Sequence, residues 1–136
     1  MYRPRFVPIV FLFLAVALLF PVAASAGLDY SDSGTAITIT GIGDYNLTAN
    51  SGVLTIPDMI DDQRVTGIGD RAFYRLSDIT SVIGGANLKD IGAEAFYQCD
   101  GLESVNLPVA KDIGDWAFYY CGDLRSVSLP AAENIG

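Results

Sequence analysis

The dipeptide Ile-Gly recurs at 68–69, 91–92, 113–114 and 135–136, in steps of 23, 22 and 22 residues. Ala-Phe-Tyr recurs in phase at 72–74, 95–97 and 117–119, and Ser-Val at 81–82, 104–105 and 126–127. Aligning 91–112 with 113–134 gives identity at 12 of 22 positions. A fixed period of this length means that one supersecondary unit is copied along the chain, and a single copy cannot bury its own apolar face. The copies must stack, so 67–136 is expected to form a solenoid of about three copies and a truncated fourth. The copy at 68–90 is one residue longer than the others. It carries Gly84-Gly85 where later copies have Leu107-Pro108 and Leu129-Pro130, which predicts a local bulge or a widened turn.

Within each copy, Leu102-Glu103-Ser104-Val105-Asn106-Leu107 places Val105 and Leu107 between polar neighbours, the pattern of a short strand with one buried face. Pro108 ends it, because proline cannot donate to a ladder. Leu124 to Pro130 repeats the design. Between strands, Asp115-Trp116-Ala117-Phe118-Tyr119-Tyr120-Cys121-Gly122 predicts a single helical turn with Asp115 as N-cap and Gly122 as stop. Asp70 takes the capping position in the first copy, and Ala93 leaves the second copy without a cap. The expected class is therefore α/β, with short parallel strands and single-turn helices. Stacking would place Ile113 on Ile91, Phe118 on Phe96 and Leu129 on Leu107, with strands about 4.8 Å apart.

The pattern Ile-Gly-x-x-Ala-Phe-x-x-Cys-x-x-Leu-x-Ser-Val-x-Leu-Pro, as it stands in Ile91 to Pro108 and again in Ile113 to Pro130, resembles the BspA-like (treponemal-type) leucine-rich repeat. The first copy departs from it, with Leu76 in place of the cysteine and no Leu-Pro. Thr35 to Gly41 and Leu54-Thr55-Ile56-Pro57 resemble the entry segment before such arrays, so the likeness spans about 35–136. It implies a surface protein that acts by binding, through adhesion to host or matrix proteins or to other cells, and no catalytic residue.

Solenoid ends expose apolar surface and need closing. Ile37 and Ile39 alternate with threonines, and Leu47 and Val53-Leu54 flank an Asn-Ser-Gly turn at 50–52. Residues 27–66 are accordingly read as a linker and a β-rich N-terminal cap. At the other end, Asn134-Ile135-Gly136 opens a repeat with no polar cap after it, which suggests a fragment of a longer array or a chain completed by a partner. Residues 1–26 read as an export signal: basic Arg3 and Arg5, an apolar stretch from Val7 to Phe20, then Pro21 and the small-residue site Ala24-Ser25-Ala26. Phe6 to Ala26 is also long enough to span a bilayer if left uncleaved, but its prolines and the cleavage site favour removal. The expected location is secreted or cell surface.

Charge and composition narrow the function. The chain has 8 basic and 16 acidic residues, and none of the acids precedes residue 27. An acidic domain repels phosphate backbones, so a nucleic-acid partner is disfavoured. There is no histidine, which removes the usual general base, the serine–histidine triad and the commonest metal ligand. Asp58, Asp61 and Asp62 lack the spacing of a calcium loop and read as solvated turn residues. Gly67-Ile68-Gly69 lacks the lysine and further glycine of a phosphate loop. Asn46-Leu47-Thr48 is a glycosylation sequon, relevant only to a eukaryotic secretory pathway. Cys99 and Cys121 share one repeat position. Stacking would bring them within disulfide range, but two inward-pointing core thiols are the favoured reading over a bridge, and two cysteines without histidine make half a zinc site. No cofactor is implied.

What remains is the outer surface. Ser104 and Asn106, and Ser126 and Ser128, should form two outward columns on the strands together with Ser81 and Ile83. Tyr74, Tyr97 and Tyr119 form a third column beside the phenylalanines, and their rings either serve as interface anchors or simply cover the core edge by stacking on each other. Trp116 is equivalent to Arg71 and Glu94, so its site should be exposed, near Tyr119 and Tyr120. A binding module for protein or glycan is the leading reading, and a spacer segment of a longer surface protein is the alternative.

Overall fold

The computed structural model describes residues 27–136. The export-signal reading of 1–26 falls outside the described residues. The described chain is built of short strands and turns, and its strands fall into two sheets. The longer sheet has the order β1 (Asp29–Asp32), β2 (Ile37–Gly41), β5 (Gln63–Ile68), β7 (Asp90–Ile91), β9 (Asp112–Ile113) and β11 (Asn134–Ile135), with β4 (Met59–Ile60) paired to β5 off that path. The shorter sheet has the order β10 (Ser126–Ser128), β8 (Ser104–Asn106), β6 (Ser81–Ile83) and β3 (Val53–Thr55). Each copy gives one strand to each sheet.

Along the array the pairing is parallel and in phase with the repeat. Ile68 lies beside Ile91, Ile91 beside Ile113, and Ile113 beside Ile135. In the other sheet Leu54, Val82, Val105 and Val127 form one row. The row begins at β3, and β2 lies parallel to β5, so parallel stacking reaches back into the segment before the first Ile-Gly. Among the described residues only β1 and β4 pair antiparallel, on β2 and β5. The extra residue of the 68–90 copy does not bulge the ladder, since β6 meets β8 without a register shift. It is absorbed in the turn after β6, where the Asp58 carboxylate accepts the Ala86 N–H and the Asp58 carbonyl accepts from the Asn87 amide.

Between the two sheets lies one continuous core. Ile37, Ile39, Leu54, Ile79, Val82, Leu102 and Leu107 are buried, as are Phe73 and Phe96, with Phe118 partly buried at the end of their row. Phe73 stacks on Phe96 with ring centroids 5.1 Å apart, and Phe96 on Phe118 at 5.4 Å. Among the described residues the buried set contains no charged or polar side chain. The glycine after the isoleucine has a packing reason in the copies that follow the first. A Cβ at Gly92 would lie 2.4 Å from the Asp70 nitrogen, and one at Gly114 would lie 2.6 Å from the Ala93 nitrogen. Both are backbone atoms of the preceding coil, so only glycine permits this approach.

The expected single-turn helices are absent: the described residues contain no helix. Each Ala-Phe-Tyr segment is instead a pair of linked β-turns, closed in the first copy by Ala72 N–H to Gly69 and Tyr74 N–H to Arg71. The alternate N–H groups leave the segment altogether. Those of Arg71, Phe73 and Arg75 donate to the carbonyls of Ala93, Ala95 and Tyr97 in the next coil, and those of Glu94, Phe96 and Gln98 to Asp115, Ala117 and Tyr119. A helix needs these donors for bonds four residues back along its own chain. The neighbouring coil takes them, and the segment opens. Asp70 accordingly caps no helix; its carboxylate accepts the Ala93 N–H of the next coil at 2.8 Å. The geometry also forces a left-handed backbone at two positions per copy: Arg71 and Arg75, Glu94 and Gln98, Trp116 and Tyr120, all with φ between 54° and 61°.

Candidate functional site

Stacked copies turn each repeat position into a column, and the turn segments present a column of aromatic rings beside the buried phenylalanines. Tyr74 and Tyr97 stack with centroids 5.1 Å apart and planes 10° from parallel. Tyr97 then meets Tyr119 at 5.8 Å, tilted by 32°, and Tyr120 edge-on at 5.9 Å. Tyr119 and Tyr120 lie 4.4 Å apart, and Trp116 is 6.3 Å from Tyr119. The regular stack thus breaks into a cleft of about 350 Å³ lined by Tyr97, Trp116, Tyr119 and Tyr120. Trp116 and Tyr120 are each about 60% exposed (61% and 62%). Both have a left-handed backbone, with φ of 57° and 58°. The Tyr119 phenol sits above its ordinary pKa, chiefly because of hydrogen bonding with Tyr120.

At the other end of the column the aromatic surface carries charge. The guanidinium groups of Arg71 and Arg75 lie 5.7 and 5.9 Å from the centre of the Tyr74 ring. Arg71 is also clamped by Glu94 of the next coil, through Nε to one carboxylate oxygen at 3.0 Å and a terminal nitrogen to the other at 2.9 Å. The same coil-to-coil pairing joins Lys111 to Glu133. Charge changes sign between neighbouring copies at these two pairs, whereas Asp90 and Asp112 stand side by side as like charges in the longer sheet.

The strand residues lie on a different part of each coil. Ser81, Ser104 and Ser126 line up in the shorter sheet, as do Ile83, Asn106 and Ser128. The Ser104 hydroxyl donates to Ser81 at 2.8 Å, so part of this column satisfies itself. Asn106, Ser126 and Ser128 are exposed. No hydrogen bond joins these residues to the aromatic column among the described residues, so the structure gathers the predicted positions into two strips. Tyr74, Tyr97, Trp116, Tyr119 and Tyr120 make one, and Ser104, Asn106, Ser126 and Ser128 the other.

The two cysteines are free thiols. Cys99 is fully buried, and its Sγ donates to the Phe73 carbonyl of the preceding coil at 3.1 Å; Cys121 repeats the contact to Phe96. Burial pushes the Cys99 thiol up to about 12 and raises that of Cys121 as well, which disfavours the reactive thiolate. Among the described residues no group of three or more acidic or cysteine side chains is placed to hold a metal, and no helix is long and apolar enough to cross a membrane.

Sequence reasoning overlooked Tyr45, which stands at the N-terminal edge of the shorter sheet. Its hydroxyl donates to the Val53 carbonyl at 3.0 Å and accepts the Thr55 N–H at 3.2 Å. An isolated tyrosine outside the repeat period carries no positional signal, so the sequence offered nothing to single it out.

Comparison with known proteins agrees with this architecture. A family model described as "BspA type Leucine rich repeat region" matches residues 39–136 in 6 copies. No curated protein matches the chain. Among solved structures, a leucine rich cell surface protein from Faecalibacterium prausnitzii A2-165 superposes with a TM-score of 0.67 at 26% identity, covering 80% of this chain. The match spans only 31% of that protein's length. A leucine-rich repeat protein from Bacteroides capillosus gives 0.53 at 22% identity, over 76% of this chain and 94% of the other. A leucine rich repeat protein of T. pallidum gives 0.50 at 20%, over 79% and 71%. The last two share the fold.

Proposed function

Because the chain belongs to the BspA-type leucine-rich repeat family, we propose that it is a protein-interaction module displayed outside the cell, binding through its aromatic column. The family is in general one of interaction modules and not of enzymes, and the reading assigns no catalytic residue and no cofactor. Cell-surface display is supported by the likeness to the Faecalibacterium cell surface protein and by the export-signal pattern of 1–26. On this reading residues 27–66 are a linker and β-rich cap before the repeats at 67–136, although the family match already begins at residue 39. The observation that carries the binding reading is the cleft where Trp116, Tyr119 and Tyr120 depart from the stack and expose ring surface. Tyrosine and tryptophan bury large area at low entropy cost and recur as interface anchors. The partner is a protein of a host, a matrix or a neighbouring cell, with a glycan as the other chemistry the rings could meet. Ser104, Asn106, Ser126 and Ser128 form a secondary polar strip.

One observation favours the alternative, a spacer segment of a longer surface protein: Tyr74 and Tyr97 turn their faces to each other and leave mainly edges for a ligand. The two readings separate on one experiment. The chain is immobilised and titrated with purified matrix proteins and with a glycan panel, alongside a variant carrying Trp116→Ala, Tyr119→Ala and Tyr120→Ala. Saturable binding that falls at least tenfold in the variant supports the module. Absence of saturable binding, or binding unchanged by the substitutions, supports the spacer.

A further inference from the structure

A parallel array of strands has two edges, and each edge presents backbone groups that another strand can pair with. At the N-terminal edge of the shorter sheet that strand is β3. Leu54 lies opposite Val82 within the sheet. In a parallel ladder neighbouring residues point their backbone groups to opposite sides, so the groups of Val53 and Thr55 face outward. A residue of an added parallel strand, placed opposite Leu54, would donate its N–H to the Val53 carbonyl and accept the Thr55 N–H on its own carbonyl. The Tyr45 hydroxyl makes both bonds, at 3.0 and 3.2 Å. A third outward group, the Val53 N–H, is taken by the Asn50 carbonyl at 2.9 Å. Tyr45 is held in place by its own turn, through its N–H to Ile42 and its carbonyl from Leu47, and its ring packs against the core.

We propose that the Tyr45 hydroxyl imitates one residue of a neighbouring strand and so closes this edge against strand addition by a second copy of this chain. The inference is independent of the binding reading, since it concerns neither the aromatic column nor the polar strip. It makes Tyr45 a specificity residue for assembly: one oxygen atom decides whether two copies can join edge to edge.

The test uses the full chain with Tyr45→Phe, which keeps the ring and removes the oxygen. Sedimentation velocity across a hundredfold range of concentration should show self-association in Tyr45→Phe beyond that of the parent. The double variant Tyr45→Phe with Thr55→Pro should return to parent behaviour, because it removes the outward N–H from which a second copy would draw a hydrogen bond; proline is tolerated at an outward-facing edge position. In the parent, the Thr55 amide should exchange at least tenfold more slowly than an unpaired edge amide. A folded Tyr45→Phe that associates no more than the parent overturns the proposal, as does association that Thr55→Pro leaves unchanged. An unprotected Thr55 amide in the parent overturns it even if Tyr45→Phe fails to fold.

Discussion

Ile68, Ile91, Ile113 and Ile135 share one repeat position and one residue type, yet the first three are 2–5% exposed and the fourth is 69% exposed. Val82 and Val105 are buried, whereas Val127 in the same row is half exposed. The inner coils and the last described coil therefore have nearly the same sequence and very different environments. Burial in this molecule is a property of the neighbouring coil, and identical side chains contribute to stability only where another coil covers them. This follows from a stack in which each unit contacts only the units beside it. The contrast extends to the aromatic rings. Phe96 is sandwiched between Phe73 and Phe118, but Phe118 has only Phe96 as a ring partner. Tyr119 and Tyr120 depart from the stack that Tyr74 and Tyr97 maintain.

Truncating the phenylalanine row should expose the contrast most strongly. Phe96→Ala opens a cavity between two coils and should cost about 3–5 kcal/mol, while Phe118→Ala should cost about half as much or less. Urea denaturation followed by far-ultraviolet circular dichroism measures both; equal losses would break the comparison. The isoleucine row gives a sharper version with smaller numbers. Ile91→Ala should cost about 2–4 kcal/mol, and Ile135→Ala no more than about 0.5 kcal/mol.

The period and the inward positions were legible because stacking makes one residue type recur at one depth. Ile91, Phe96, Val105 and Leu107 are all buried as the alternation and the period require. The inward thiols followed from the same reasoning, since a column at Cys99 and Cys121 shares one direction. The helix was misread for a physical reason. Asp115 to Gly122 has a candidate cap and a stop at helical spacing, although Ala117 is its one strong helix former. What decides the conformation is a set of hydrogen bonds between coils: the Asp115, Ala117 and Tyr119 carbonyls accept the Glu94, Phe96 and Gln98 N–H groups of the preceding coil at 2.8–2.9 Å. No window shorter than the repeat contains both partners. The exposed pose of Trp116 was readable from its equivalents Arg71 and Glu94. Its left-handed backbone was not, because tryptophan is a poor residue for that region and only the turn geometry places it there. Tyr45 was unreadable for the converse reason, as its role depends on an edge that exists only after the coils have stacked.

The thiols carry the comparison into pH. Burial raises the folded-state value of Cys99 to about 12, against about 9 for a free thiol, so the folded chain holds a proton that the unfolded chain releases. Stability from this group is complete below pH 9 and falls as the pH rises from about 9 toward 12. Cys121, partly exposed, is raised for the same cause and should add a smaller loss. Denaturation midpoints measured between pH 8 and 11 should therefore decline less steeply in Cys99→Ala than in the parent, with Cys121→Ala in between. A parallel decline in all three would show that tyrosine ionisation, and not the buried thiol, sets the alkaline limit.

The smallest expected effect concerns the left-handed positions, which occur twice in every copy whether the coil is covered or not. Gln98 has φ 55° in a covered coil and Tyr120 has φ 58° in the last described one. A non-glycine residue in this region carries a steric cost of about 1 kcal/mol, which glycine removes while adding freedom to the unfolded chain. Gln98→Gly should consequently change stability by less than about 1 kcal/mol in either direction. Tyr120→Gly makes the same backbone change but also deletes a ring that touches Tyr97 and Tyr119, so it should be the less stable of the two. If thermal unfolding ranked them the other way, the tyrosine cluster would contribute nothing to holding its coil in place. Its exposed rings would then be free to reorient around a ligand, instead of presenting a preformed cleft.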